Sequence, residues 1–235
     1  MNVYALWNGC LDWLFPCTCA ACAINNVRPE QPICYQCLSE LQATQYQPSK
    51  QEELEKIFWG RIQLEYVKAE YPLKKGTILQ QTLHQFKYHH RPGIGIYLGM
   101  LAGKKLKSIH EHHPIDALIP LPLHSHKQRK RGYNQAERIC AGLSISSGIP
   151  VWNDILYRNH ATETQTRKDR EERWNNMLGK FSLKRADRAT NKHLLLVDDV
   201  ITTGATLEAA GHTLLQIPEV RLSFFALAHT ESTGS

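Results

Sequence analysis

Two stretches of this chain carry residue types that do chemistry at close spacing. In the first, Leu-Leu-Leu-Val (194–197) is followed by Asp198 and Asp199, then Val200 and Ile201, then Thr202, Thr203, Gly204, Ala205 and Thr206. Threonine hydroxyls and backbone N–H groups of a small-residue loop, set at the positive end of a following helix, bind a phosphate monoester. Two adjacent carboxylates repel that phosphate. They suit sugar hydroxyls, or a magnesium ion that keeps most of its own water. In the second stretch, Cys19-Ala-Ala-Cys22 and Cys34-Tyr-Gln-Cys37 stand with eleven residues between them. Two such knuckles offer four thiolates to a tetrahedral zinc ion, against the alternatives of a redox dithiol or buried free thiols.

The elements that would position these groups follow from hydrophobic patterning. The run before Asp198 has the length and branching of a strand buried on both faces, bringing the acids to its carboxyl end. Gly204 can turn, and Leu207, Ala210, Gly211, Leu214 and Leu215 recur at helical spacing, so the order is strand, loop, helix. The alternative is an ordinary buried strand whose acids cap a turn. Around the cysteines, the loop with Asn25, Asn26, Pro29 and Pro32 holds almost no apolar residues, so metal binding must supply its stability. Cys17 competes with Cys19 as a ligand, but Cys19 gives the two-residue spacing. Cys10 and Cys140 read as packing residues.

At 235 residues the chain can bury a full core beside a small module. Its net charge of +6, with clusters at Lys104, Lys105 and Lys107 and from Lys127 to Arg131, favours anionic ligands. No apolar run reaches the roughly 18 residues of a membrane span. The apolar start lacks Lys or Arg before Arg28 and contains Asp12, so it is expected to be no export signal. Val3, Trp7, Cys10, Leu11 and Leu14 instead suggest one face of a short helix, and the compartment is expected to be the reducing cytoplasm.

Gln42 to Glu55 is polar with Pro48 and Ser49 and reads as a linker, giving an N-terminal module over 1–45, a linker over 46–55 and a main domain over 56–235. Ile62, Leu64 and Tyr66, then Val67, Ala69 and Tyr71, alternate on two parities and suggest a bulged strand or two short ones. Thr77 and Gln80 form a capping box for a helix running to about His90, with Lys87 near its end. Ile94, Tyr97, Leu98, Leu101 and Ala102 make a second helical face. A short strand from Asp116 runs into prolines, which should deliver Lys127, Arg129, Lys130 and Arg131 into the crevice at the sheet's carboxyl edge. A helix capped by Asn134 follows, with Glu137 as its box partner. Leu222 to Ala228 is apolar on both parities and should close the sheet.

The strand-loop-helix stretch resembles the 5-phosphoribosyl-1-diphosphate (PRPP) motif of type I phosphoribosyltransferases. Lys127 to Ala136 (Lys-x-Arg-x-Arg-Gly-Tyr-Asn-Gln-Ala), the cysteine knuckles after Leu-Phe-Pro, Phe58-Trp59-Gly60-Arg61 and the Lys87-Tyr88 pair narrow the likeness to the ComF competence-protein family. Cys17 departs from that family's pattern. The resemblance implies an α/β fold with a mainly parallel sheet flanked by helices, plus a small four-cysteine zinc module. It implies that Asp198 and Asp199 bind the ribose hydroxyls. It also implies that Thr202 to Thr206 bind the 5'-phosphate, that Arg129, Arg131 and Lys87 assist, and that magnesium accompanies PRPP. The polar segment from Asn159 to Asn176, with Arg167, Lys168, Arg170 and Arg173, would be a hood over the diphosphate; a charged surface loop is the alternative. The family points to DNA uptake in natural transformation, with single-stranded DNA and DNA-uptake proteins as partners. A rival expectation is a non-catalytic single-strand binder using Tyr133, Trp152 or Trp174 as aromatic platforms.

Overall fold

The computed structural model describes residues 17–44, 48–159 and 180–230, with side chains from residue 52 onward in the second segment. The elements are α1 (Tyr35–Ala43), α2 (Pro48–Lys56), β1 (Val67–Leu73), α3 (Ile78–Tyr88), α4 (Gly93–His112), β2 (Ala117–Pro120), α5 (Ser125–Arg131), α6 (Gln135–Ser147), β3 (Leu156–Arg158), β4 (Phe181–Leu183), β5 (His193–Ile201), α7 (Ala205–Leu214) and β6 (Arg221–Thr230). The expected N-terminal helix over residues 3–14 and the hood cations Arg167, Lys168, Arg170 and Arg173 lie outside the described residues.

The four-stranded sheet runs β1-β6-β5-β2 and every neighbouring pair is parallel. This is the α/β class that the continuous apolar strands call for, because helices cover both faces. Strand β6, expected to close the sheet, instead lies inside it between β1 and β5. Its residues Leu222 to His229 are all buried, which only an interior strand covered on both sides provides. Among the described residues, β1 is one continuous strand beginning at Val67, with Ile62 and Leu64 in its approach.

Alternation along β5 divides the core into two layers. Leu195 and Val197 join Phe86, Ile94, Leu98, Ile139 and Leu143 on the face covered by α3, α4 and α6. Leu194 and Leu196 join Phe58, Phe224, Leu207 and Leu214 on the face covered by α7. Helices α4 and α6 approach closely through glycines: a Cβ on Gly142 would sit 2.0 Å from the Ile96 carbonyl oxygen. The Thr77 cap is present and accepts from the Gln80 amide, ending in a helix that stops at Tyr88 rather than His90.

Two expectations about organisation change. The polar segment taken as a linker holds α2, whose Leu54 is fully buried in the layer with Phe58 four residues later. Its Glu, Gln and Lys residues are helix formers, and Leu54 docks the short helix on the core beside Phe58. The cysteine module also does not stand apart from the main core. Cys19, Ile33, Cys37 and Leu41 belong to the same buried cluster as Phe86 and Ile94. Arg91 fastens it further, donating to the Thr18 carbonyl at 2.8 Å.

Candidate functional site

Asp198 and Asp199 lie within β5, not beyond its end: Asp198 pairs with Ala226, and the ladder continues through Val200 and Ile201. Consecutive strand residues point to opposite faces. Asp199 therefore shares the parity of Leu195 and Val197 and meets α3, where Lys87 Nζ sits 3.0 Å from its Oδ2. Asp198 shares the parity of Leu194 and Leu196, accepts from the Asp199 amide at 2.7 Å, and feels Arg158 of β3. Burial raises its carboxyl to about 7, the Asp199 charge adds to the rise, and Lys87 and Arg158 oppose it.

The loop beyond β5 turns at Gly204, which caps α7 with φ of 73°. Only glycine fits there, since a Cβ would also lie 2.6 Å from the Phe58 ring. Thr202, Thr203 and Thr206 are exposed, Ala205 is half-buried, and all stand at the amino end of α7, where N–H groups lack helical partners. From the far side Arg61 reaches this loop. It donates to the Ile57 carbonyl at 2.8 Å and to the Thr203 carbonyl at 3.4 Å, and forms an ion pair with Glu208. Nothing in the spacing of Phe58 to Arg61 announces that contact, because its partners are 142 and 147 residues away.

The basic stretch is a short helix, α5, capped by His124 and ended by Gly132 at φ of 78°. Residues two apart on a helix do not share a face, and this separates Arg129 from Arg131. Arg131 donates to Gln135 Oε1 at 2.8 Å and lies 5.5 Å from the Tyr88 ring centre, next to Lys87 in sequence. Lys127, Arg129 and Lys130 are exposed. The stretch is thus not delivered whole into the crevice; only Arg131 joins the Lys87-Tyr88 end of α3. Asn134 caps α6 as expected, through the Ala136 amide at 3.1 Å. The proposed aromatic platforms change too. Tyr133 is buried with its hydroxyl donating to the Phe86 carbonyl, and Trp152 is covered by the Arg188 guanidinium 4.1 Å from its ring centre. Trp174 lies outside the described residues.

In the N-terminal module the sulfurs of Cys19, Cys22, Cys34 and Cys37 lie within 4.8 Å of one another, a cluster that could hold a metal ion. The Ala21 and Cys34 amides point at Cys19 Sγ at 3.4 and 3.3 Å, and Asn25 Nδ2 at Cys34 Sγ at 3.3 Å. Such donors favour thiolate, and they fit the sulfur-only donor set of a structural zinc site. A backbone hydrogen bond at Cys37 is the main reason the Cys34 thiol falls to about 6, and one at Asn25 lowers Cys22. Burial pushes Cys37 the other way. Cys17 is outside the cluster and receives Arg91 Nη2 at 3.4 Å, whereas Cys19 is inside it. Cys140 is fully buried, as a packing residue should be; Cys10 lies outside the described residues.

With this geometry in view, the chain can be set beside known proteins. No family model matches it. It is 33% identical over 150 residues to Competence protein F of Haemophilus influenzae, covering 62% of this chain and 66% of that protein. The chain belongs to the ComF competence-protein family. Competence protein ComFC of Bacillus subtilis is 35% identical over 101 residues, covering 42% of this chain and 38% of that protein. DNA utilization protein YhgH of Escherichia coli K12 is 27% identical over 157 residues, covering 65% of this chain and 67% of that protein. Among solved structures the chain is similar to an adenine phosphoribosyltransferase, with TM-score 0.43 and 14% identity over 83% of this chain and 90% of that one. It is also similar to a glutamine PRPP amidotransferase from B. subtilis, with TM-score 0.41 and 18% identity over 60% of this chain and 30% of that one.

Proposed function

We propose that this ComF-family chain binds PRPP with magnesium where β5 gives way to α7, and that it serves in DNA uptake. The observation that carries the reading is the meeting of two environments within nine residues of chain, from Asp198 to Thr206. Exposed threonine hydroxyls stand at the positive end of α7, beside two carboxylates flanked by Lys87 and Arg158. A molecule with a phosphate at one end and hydroxyls and a diphosphate at the other satisfies both.

In this reading Thr202 to Thr206 fix the 5'-phosphate, and Asp198 and Asp199 accept hydrogen bonds from the ribose hydroxyls. The same carboxylates, hard oxygen donors, would hold magnesium through its water, and the ion would supply neutralisation of the diphosphate. Arg131 and Lys87 add positive charge at the edge of the crevice, and Arg167, Lys168, Arg170 and Arg173 of the hood segment would add more. If the protein is catalytic, these residues work by positioning and charge, holding C1' open to an acceptor nitrogen while the diphosphate leaves and water is kept out. Zinc at Cys19, Cys22, Cys34 and Cys37 is structural, and a reducing cytoplasmic setting keeps its thiolates available. Among the described residues no helix is long and apolar enough to cross a membrane.

One observation favours a second reading, in which the protein handles single-stranded DNA and uses PRPP only as a ligand. Lys127, Arg129 and Lys130 are exposed on α5, whereas Arg131 is half-buried and held by Gln135. They are more cations than one diphosphate needs. Thermal unfolding tests the first reading. PRPP with magnesium at about 100 times its Kd should add roughly 2.7 kcal/mol, a shift of several degrees. Asp198→Asn with Asp199→Asn should remove that shift while the unliganded protein still unfolds cooperatively. An unchanged melting temperature in millimolar PRPP and magnesium removes the ligand from this site.

A further inference from the structure

Arg61 and Glu208 form an ion pair directly behind the threonine loop. Glu208 stands four residues after the Gly204 cap, in the first turn of α7, and its side chain is only 2% exposed. Both carboxylate oxygens are engaged by Arg61, one through Nε at 3.2 Å and the other through Nη2. The remaining nitrogen of the same guanidinium, Nη1, donates to the Ile57 and Thr203 carbonyls. One side chain from the segment between α2 and β1 thus joins the loop, the helix that follows it and its own connector.

The placement of Glu208 is the unexpected part. A carboxylate in the first turn of a helix uses up the positive end that an anion would otherwise occupy. A phosphate arriving at Thr202 to Thr206 would meet a buried negative charge in the same turn. With effective screening of the kind found near protein surfaces, two like charges several ångströms apart oppose each other enough to change binding by about tenfold or more.

We infer that Arg61 is a positioning residue of the phosphate site, cancelling the Glu208 charge so that the amino end of α7 stays open to a phosphate. The inference rests on the reading of Thr202 to Thr206 as a phosphate loop. Phe58 works alongside it, because its ring occupies the space a side chain at Gly204 would need. In this inference Arg61 acts without contacting the reacting atoms. Its effect passes through Glu208 and through the Thr203 carbonyl.

A double-mutant cycle in the full chain, read by calorimetric titration with ribose 5-phosphate, separates this from a purely structural ion pair. Arg61→Ala leaves Glu208 buried and unpaired, and should weaken ribose 5-phosphate by about tenfold or more. Arg61→Ala with Glu208→Gln removes the offending charge and should recover most of that affinity. Glu208→Gln alone should bind at least as tightly as the unmodified protein. A tie without an electrostatic role predicts the reverse, since the double variant still lacks every Arg61 hydrogen bond and would bind no better than Arg61→Ala. That result, or full affinity in Arg61→Ala, overturns the inference. Where Arg61→Ala does not fold, Arg61→Gln with and without Glu208→Gln replaces it, because glutamine keeps a long polar side chain and removes the charge, so the same loss and recovery are expected. If the unmodified protein binds no ribose 5-phosphate, the phosphate reading itself falls, an outcome distinct from failure of the double variant to recover.

Discussion

The cysteine cluster and the acid pair solve the same problem in different ways. Each gathers groups that repel when ionised. The cluster draws its ligands from residues 19–37 and its N–H donors from Ala21, Asn25 and Cys34, all inside the same segment. The acid pair is adjacent in sequence, with both residues in β5. Its cations come from elsewhere, Lys87 from α3 and Arg158 from β3. A site whose parts are local declares itself by spacing, whereas a site balanced from a distance declares only its most compact piece.

The largest expected effect tests whether the cluster is as self-contained as its ligands suggest. Cys34 caps α1, and its neighbours Ile33 and Cys37 are in the core shared with Phe86 and Ile94. Cys34→Ser should reduce bound zinc from about one equivalent to less than half, and cost more than about 5 kcal/mol of the stability that the metal supplies. Because the core is shared, thermal unfolding should show one transition at lower temperature for the cysteine module and the sheet together. Two transitions, with the second unmoved, would mean the module melts alone.

These cases also show what the sequence discloses. The paired cysteines, the strand-loop-helix order and the Thr77 and Asn134 caps are legible because each depends on residues within a few positions of one another. The Lys87–Asp199 and Arg61–Glu208 pairs are not, since sheet topology decides which helix lies over which strand. Tyr133 misleads for the same reason: beside a run of cations it reads as a surface platform, but α6 folds it against Phe86. The burial of Leu54 was hidden because a single apolar residue in a polar stretch carries no periodicity. Strand β6 displays burial on both faces, yet burial alone does not tell an interior position from a closing one.

A smaller effect probes the distant balance of the acid pair. The Asp198 carboxyl is raised to about 7, first by burial and then by Asp199. Between the ordinary carboxylate value and about 7 the folded chain holds a proton that the unfolded chain has lost. The stability this group contributes is therefore complete at low pH, declines as pH rises through that window and levels off above it. Binding of PRPP with magnesium, which needs the ionised form, should run the other way and strengthen by about tenfold per pH unit until the carboxyl is ionised. Lys87 opposes the rise at Asp198, so Lys87→Met should move the binding profile to higher pH. Calorimetric titration from pH 5 to 8 reads both, and a profile unmoved in the variant would show that α3 does not balance the pair.

The last comparison divides the basic helix itself, and its smallest effect is at Arg129. Arg131 is held by Gln135 and lies against Tyr88, so Arg131→Glu should lose PRPP binding along with those contacts. Arg129 is exposed, and Arg129→Glu should leave PRPP affinity within a few-fold. Its consequence, if α5 carries DNA, is confined to single strands: each phosphate contact removed flattens the log-log salt dependence by roughly 0.7. Titration of labelled single-stranded DNA at several salt concentrations, with each variant and with or without PRPP, reads the slopes. The helical geometry predicts opposite profiles for the two arginines, ligand loss for Arg131 and slope loss for Arg129, because side chains two residues apart cannot serve the same face. Equal slopes for Arg129→Glu and the unmodified chain would take DNA off α5. Equal loss of PRPP in both variants would return the whole basic stretch to the diphosphate, and the division that the exposed cations suggest would fail.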